Sequence, residues 1–464
     1  MKKGVFIFLC LVLVSMGGLI WRWYLIVPLQ ERFDPVLQNF AFVIPTLKPM
    51  QVIGVPRAVT CGGCHQEIYK EWSQTTHAHA LEDLQFQAEL AKPDNPAWLC
   101  LNCHIPIQNQ REFRVTGLIE GDLFKPVTQV NSSFDKKMQA EAITCAVCHV
   151  RPDPDTGESY IIGNIGSPLA PHPVKKDREF LRTICLRCHD PQGERLAPNL
   201  FCWFQTRKEL EDGQENLERV LGEKKDCVDC HMPEVQRRIA AFDSLPLRNA
   251  HQHHWTGGGI PKRFEHYKDL LNRGFEPGLR LEVADPEKQT SGNWELTVVF
   301  SNRKAGHKVP TGDPERHYLT HVKLLSAKGE LISSSSYRIG QTWEWSPARK
   351  LGDNRLMQGE SRTWKFHLKV AIDNVPARIQ VHTWHVKLSS KTALYIQKIS
   401  GIRSDLNPRA AEQIKDLPSH YPFATLIYSE EIQLDSLKRT HLTSRQLMKI
   451  SAMEAGNLLS EREY

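Results

Sequence analysis

The chain has 464 residues, a length that accommodates about three domains, and 41% of them are hydrophobic, enough for sizeable cores. The formal charge of +6 is spread without a block of like charge, which argues against a nucleic-acid partner. Twelve cysteines and twenty histidines carry the chemistry.

In chain order, Lys2 and Lys3 precede an apolar run from Gly4 to Ile20, followed by Arg22 and the segment WYLIV. A secretory h-region is shorter, about 7–15 residues, and ends at a small-residue cleavage site. Here the run is longer and no Ala-x-Ala follows. Trp21, Trp23 and Tyr24 fit an interfacial aromatic belt. The expectation for residues 1–27 is an uncleaved single-pass helix in the inner (cytoplasmic) membrane, with a cleaved signal as the alternative. Lys2 and Lys3 would stay in the cytoplasm, placing the later domains on the periplasmic, outer side. Cys10, inside the run, reads as a small buried hydrophobe. Residues 28–56 read as a linker.

Five copies of Cys-x-x-Cys-His follow: Cys61, Cys64, His65; Cys100, Cys103, His104; Cys145, Cys148, His149; Cys185, Cys188, His189; and Cys227, Cys230, His231. This is the attachment pattern of c-type haem: two thiols bond the vinyl groups and the adjacent imidazole reaches the iron. Zinc ribbons use paired Cys-x-x-Cys knuckles and give no reason for an odd number or for the following histidine. A disulfide framework does not require that histidine either. The expected cofactors are five covalently bound c-type haems, whose propionates would add about ten carboxylates.

The first cysteines are spaced by 39 (61 to 100), 45 (100 to 145), 40 (145 to 185) and 42 (185 to 227). That leaves room for one or two short helices per haem. Residues 57–275 are therefore expected to be a mainly helical, loop-rich pentahaem domain with the macrocycles as core. After about Gly278 the texture changes. LRLEVA, WELTVVFSN, YLTHVKLLS, SRTWKFHLKV and ARIQVHTWHVKL alternate with period two between turn-rich separators, predicting an antiparallel β-sandwich over 276–435. Residues 436–464 return to helical spacing, with Leu447, Ile450, Met453 and Leu458 near one face. The fold class is α+β with an N-terminal transmembrane helix.

Fifteen histidines remain beyond the five motifs, and methionine is scarce, so histidine is the expected sixth ligand. Around the first motif, CGGCHQEIYKEWSQTTHAHA resembles the multihaem cytochromes typified by the tetrahaem electron acceptor of bacterial hydroxylamine oxidation, the c-554 type. Tyr69, Trp72, Thr75 and His77 fit that pattern. The resemblance implies that His77 is a distal ligand, with His79 as the neighbouring alternative. EAITCAVCH resembles a recurrent segment of such proteins. APHPVKKDREFLRTICLRCH resembles a stretch where a lone histidine, His172, precedes a haem motif. CVDCHMP and NAHQHHWTGGG resemble a Cys-His-Met-Pro ending followed by His-x-aromatic-x-Gly-Gly, which implies His253, with Trp255, Gly257 and Gly258; His251 competes. FSNRKAGHKVPTGDPERHYL resembles a segment of larger multihaem cytochromes with a β-sandwich after the haems, making His307 a further candidate, or a histidine that simply orders a Pro-Thr-Gly turn. The tetrahaem type lacks this β region and has one haem fewer, so its function does not transfer directly. Cys202 is unpaired and reads as a buried, inert thiol, with a haem ligand or reactive thiol as the other reading.

The functional expectation is a membrane-anchored, exported cytochrome that passes electrons along its haems to or from a redox partner protein, such as a quinol-linked membrane complex. No catalytic residue is assigned. The alternative is an oxidoreductase acting on a small nitrogen or sulfur oxyanion at one five-coordinate haem, with Arg316 and His317 as pocket residues. None of the five motifs has the Cys-x-x-Cys-Lys form seen at the catalytic haem of related nitrite reductases.

Overall fold

The computed structural model describes residues 25–34, 37–93, 95–166, 170–192, 196, 202, 204–255, 257–273, 275–345 and 348–459. The apolar N-terminal run, with Cys10, lies outside them. Among the described residues no helix is long and apolar enough to cross a membrane.

The first half is a scaffold of short helices: α1 (Ala58–Gly62), α2 (Gln66–Ser73), α3 (Leu84–Leu90), α4 (Ala97–His104), α5 (Cys145–His149), α6 (Leu186–His189), α7 (Thr206–Leu221) and α8 (Cys227–His231). Three small sheets brace it, which the helical reading did not foresee. Ile26–Val27, Phe113–Ile119 and Pro126–Val130 form one; Val150–Pro152, Ser159–Gly163 and Val174–Lys176 a second; Glu234–Arg237 and Arg248–His251 a hairpin. Long connections between motifs must pair their own backbone groups once they leave water. Apolar contacts in this half fall into separate small clusters, around Phe33 and Leu118, around Met138 and Val147, and around Phe86 and Ile105, rather than one core.

The second half is a β-sandwich. Its strands are β1 (Leu279–Val283), β2 (Glu287–Lys288), β3 (Trp294–Asn302), β4 (His317–Ser326), β5 (Leu331–Trp345), β6 (Ala348–Asp353), β7 (Ser361–Leu368), β8 (Pro376–Val386), β9 (Ala424–Gln433) and β10 (Arg439–His441). β3 pairs with β7 on one side and with β1 and β2 on the other. The second sheet runs β6-β5-β4-β8-β9-β10. Alternation decides which side chains meet: Leu296, Val298 and Phe300 of β3 and Phe366 and Leu368 of β7 face Val322, Leu324, Ile339, Ile379 and Val381 in one continuous core. The five stretches read as strands from their alternation are all strands. β2, β5, β6, β9 and β10 add to them.

After β10, helix α9 (Ser444–Glu454) packs on β9, capped by Thr443, whose side chain accepts from Gln446 N. Leu447, Ile450 and Leu458 contact the core, but Met453 does not: it is exposed, and Met448 is buried instead. One end of the larger sheet meets the helical half. Arg316 precedes β4, and β4 pairs its first residue, His317, with Val386 at the end of β8. The loop after β8 carries Lys387, which bonds to Asp83 at the start of α3.

A candidate array of haem sites

Each Cys-x-x-Cys-His motif sits on or at the edge of a short helical turn, where residues i, i+3 and i+4 share one face. The turns are fixed individually. Gly62, within the first motif, lies under Tyr69 of α2; a Cβ there would come 2.6 Å from the Tyr69 ring. The Glu141 carboxylate, from the segment before the third motif, accepts from the N–H groups of Ala58 and Val59 and so caps α1, which carries the first. Asp226 caps α8 and shares Arg182 with Asp229, tying the fifth motif to the helix that leads into the fourth.

The ring orientations are set by backbone carbonyls. His65 donates through Nδ1 to Ile239 O, His104 to Ala80 O, His149 to Ile162 O, His253 to His251 O and His307 to Lys308 O, at 2.5 to 3.0 Å. A carbonyl only accepts, so Nδ1 carries the proton and Nε2 presents its lone pair, the tautomer a metal needs. Burial lowers His77 and His253 to about 3, and His104, His189 and His231 to about 4, which keeps those five imidazoles neutral.

The sequence-derived candidates are brought to specific motif histidines. His77 faces His189 with ring centroids 6.1 Å apart, His253 faces His149 at 6.2 Å, and His307 faces His231 at 6.2 Å. Two imidazoles bonded at ~2.0–2.1 Å to opposite sides of one metal ion hold their centroids about 6 Å apart. These spacings therefore fit haem iron between each pair. His172 lies near His65, whose charge together with burial lowers its pKa, and its buried Nδ1 has no hydrogen-bond partner. His79 is engaged elsewhere: Nδ1 meets Glu82 at 2.5 Å, Nε2 meets Ser73 O at 3.0 Å, and its ring lies against His266. His251 donates to Met232 O. No histidine ring faces His104 among the described residues; Phe86 stacks on it at 3.4 Å.

The thiols fit haem attachment as well. The ten motif cysteines form no disulfide, and among the described residues no group of three or more metal-binding side chains converges as zinc would require. Thiols of different motifs touch: Cys61 with Cys145, Cys103 with Cys188, and Cys185 with Cys227. Neighbouring macrocycles would thus meet close to their attachment edges. Cys202 packs in the cluster around Phe33 and Leu118, and burial raises its pKa far above that of a reactive thiol.

Sequence reasoning missed the interior charge cluster that joins the two halves. Asp83 caps α3 and binds Lys262 at 2.5 Å and Lys387 at 3.0 Å. His385 donates to Gly258 O at 2.7 Å and packs on Tyr318. The residues lie far apart in the chain, and no local pattern announces them.

Residues 60–121 match the family described as cytochrome c554 and c-prime. Among solved structures, the chain is similar to that of a penta-heme cytochrome c552 from Thermochromatium tepidum, at 15% identity and a TM-score of 0.46, over 80% of this chain and 97% of that one. It is also similar to a structural-genomics target, SoR45, at 10% identity and a TM-score of 0.14, over 37% and 85% respectively. No curated protein matches the chain. The matched family segment holds the first two of the five Cys-x-x-Cys-His motifs.

Proposed function

We propose that the chain holds five c-type haems and carries electrons along them between a membrane-linked donor, such as a quinol-oxidising complex, and a partner protein. The observation that carries this reading is the set of three opposed histidine pairs at 6.1 to 6.2 Å. Two strong imidazole donors favour a low-spin iron of low potential and leave no room for substrate. His77, His172, His253 and His307 are the sixth ligands in this reading, to the haems of His189, His65, His149 and His231. Haem iron supplies the one-electron chemistry. The protein holds the rings, keeps their imidazoles neutral and sets neighbouring attachment sites in contact.

The chain is exported, since covalent haem attachment and the apolar leader both belong to that route, and the Gly4–Ile20 run keeps it on the membrane. Denatured, washed protein measured by mass and by haem absorbance should retain about five haems per chain. Bare thiols at several motifs would defeat the pentahaem reading. Separately, the mature protein should begin before residue 20 and sediment with membranes; release by osmotic shock with a shortened N-terminus would remove the anchor and leave the carrier role standing.

A further inference from the structure

The apolar run Gly4–Ile20 ends six residues (20 to 26) before Ile26, the first strand residue of the small sheet that Ile26–Val27 forms with Phe113–Ile119 and Pro126–Val130. Six residues reach at most about 20 Å when fully extended. Trp21, Arg22, Trp23 and Tyr24 fill most of that stretch. The polar layer such residues suit is only about 5–8 Å deep on each side of the hydrocarbon. A membrane anchor over Gly4–Ile20 therefore ties this sheet to the bilayer surface.

Register separates the two faces of the sheet. Ile26 pairs with Ile119, and Val27 with Leu118. Leu118 is buried in the cluster around Phe33, so alternation turns Ile26 and Ile119 the other way, outward. Gly117 lies on the outer side as well: a Cβ there would come 2.7 Å from Ile26 Cγ2, and Val127 pairs with it across the sheet. The outer face is thus Ile26, Ile119 and Val127, with Phe124 on the turn between the last two strands. Ile119 is 39% exposed and Phe124 51%, and none of the four joins the cluster on the inner side.

The turn is held in place. Asp122 Oδ1 accepts from Phe124 N at 2.9 Å, the indole of Trp98 donates to Leu123 O at 2.8 Å, and Arg32 Nε donates to Gly121 O at 3.2 Å. Leu123 is buried and Phe124 is left in the open. The charges around the face cancel: Lys125 pairs with Asp122 at 3.3 Å, and Arg32 and Glu120 add one charge of each sign. An apolar, nearly neutral face suits the acyl boundary of a bilayer and offers little to a charged protein.

We propose that Ile26, Ile119, Phe124 and Val127 form a face that lies on the lipid bilayer, with Phe124 reaching into the acyl boundary. This inference rests on the anchor proposed above and deepens it, since it fixes how the molecule sits. Cys100 of the second motif packs against the inner side of the same sheet. The orientation therefore sets the Cys100–His104 site on the membrane side of the molecule, toward a membrane-linked donor.

The test uses the full-length holoprotein in phosphatidylcholine vesicles. A nitroxide label is placed on Phe124→Cys or Ile119→Cys, and on Leu351→Cys of β6, a position 56% exposed, as the aqueous control. Signal from Cys10 or Cys202 is subtracted using the parent chain, and unaltered haem signals report that each variant is folded. The labels at 124 and 119 should be relaxed several-fold more by oxygen, and several-fold less by an aqueous nickel chelate, than the label at 351. Equal access of the nickel chelate to 124 and 351 would overturn the lipid face. Shielding of 124 from both relaxants would overturn it too, in favour of a contact with a second copy of the chain. Either result leaves the anchor standing if the protein sediments with the vesicles. A chain cleaved after residue 20 that still sediments with them, its 124 label shielded from nickel alone, would remove the anchor and support the face. A cleaved chain that stays in solution would remove both.

Discussion

His77 and His79 are two residues apart, yet their nitrogens meet different fates. His79 is held by Glu82 and Ser73 O, whereas His77 is buried opposite His189. Replacing His77 by Ala should therefore convert one low-spin haem to high spin and raise its potential. His79→Ala should leave the spin states unchanged. Electron paramagnetic resonance of both variants checks the pair, and a silent His77→Ala would remove it as a ligand. Trp255 adds a second residue-scale point. Its φ is 44°, an unusual backbone for a bulky side chain, and its indole stands edge-on between His77 at 4.9 Å and His253 at 5.2 Å. Trp255→Ala should shift the resonance signals of two haems together, because both distal rings lose the same wedge. A change confined to one haem would show that the indole serves only one of them.

At the scale of elements, α7 is the strut between the halves. Gly213 in its middle lies against the loop after β3, where a Cβ would sit 2.4 Å from Gly306 O. Gly213→Ala must push backbone against backbone. It should lower stability by about 1–3 kcal/mol, read as an earlier midpoint in urea by tryptophan fluorescence. One turn earlier, Glu209 is buried and bonded to Arg355 at 2.8 Å and to Thr311 at 2.6 Å, and Arg355 also holds Asp353. Burial pushes the Asp353 carboxyl up, but Arg355 and Lys308 outweigh it and hold it at about 2. A folded value below the unfolded one of about 3.9 means this contribution is fully present above about pH 4 and is lost as the pH falls through about 2. Acid titration followed by near-ultraviolet circular dichroism should show a component in that window that Asp353→Asn lacks.

At the scale of the whole molecule, the two halves hold together for different reasons. The sandwich has one continuous apolar core, whereas the helical half has several small separate ones. Small separate cores rarely offset the entropy of ordering a chain. Protein made without haem attachment should therefore lose its helical half to limited proteolysis and keep a β-rich fragment containing 279–433. Equal resistance of both halves would show that the helical clusters suffice without haem.

Much of this was legible in the sequence, because the information was local. Cys-x-x-Cys-His names its own chemistry within five residues, and period-two alternation named strands such as β3 and β7. The edges of the sandwich were less legible: β5 is rich in serine, and the β5–β6 hairpin exposes most of its side chains, so neither has a clean apolar face. His77, His172, His253 and His307 could be picked out by the company they keep in the chain. Which motif each one faces was not written locally. His77 follows the first motif but faces the histidine of the fourth, and His253 follows the fifth but faces the third. The same holds for Arg316, His385, Lys262 and Asp83, which meet only where the sandwich closes on α3. The sequence by itself determined the cofactor and the class of each half, because covalent attachment and strand alternation are short-range patterns. Only the tertiary structure decided how the imidazoles pair and that His104 has no facing histidine ring among the described residues, because the paired rings lie from 76 (231 to 307) to 112 (77 to 189) positions apart in the chain and meet through packing rather than periodicity.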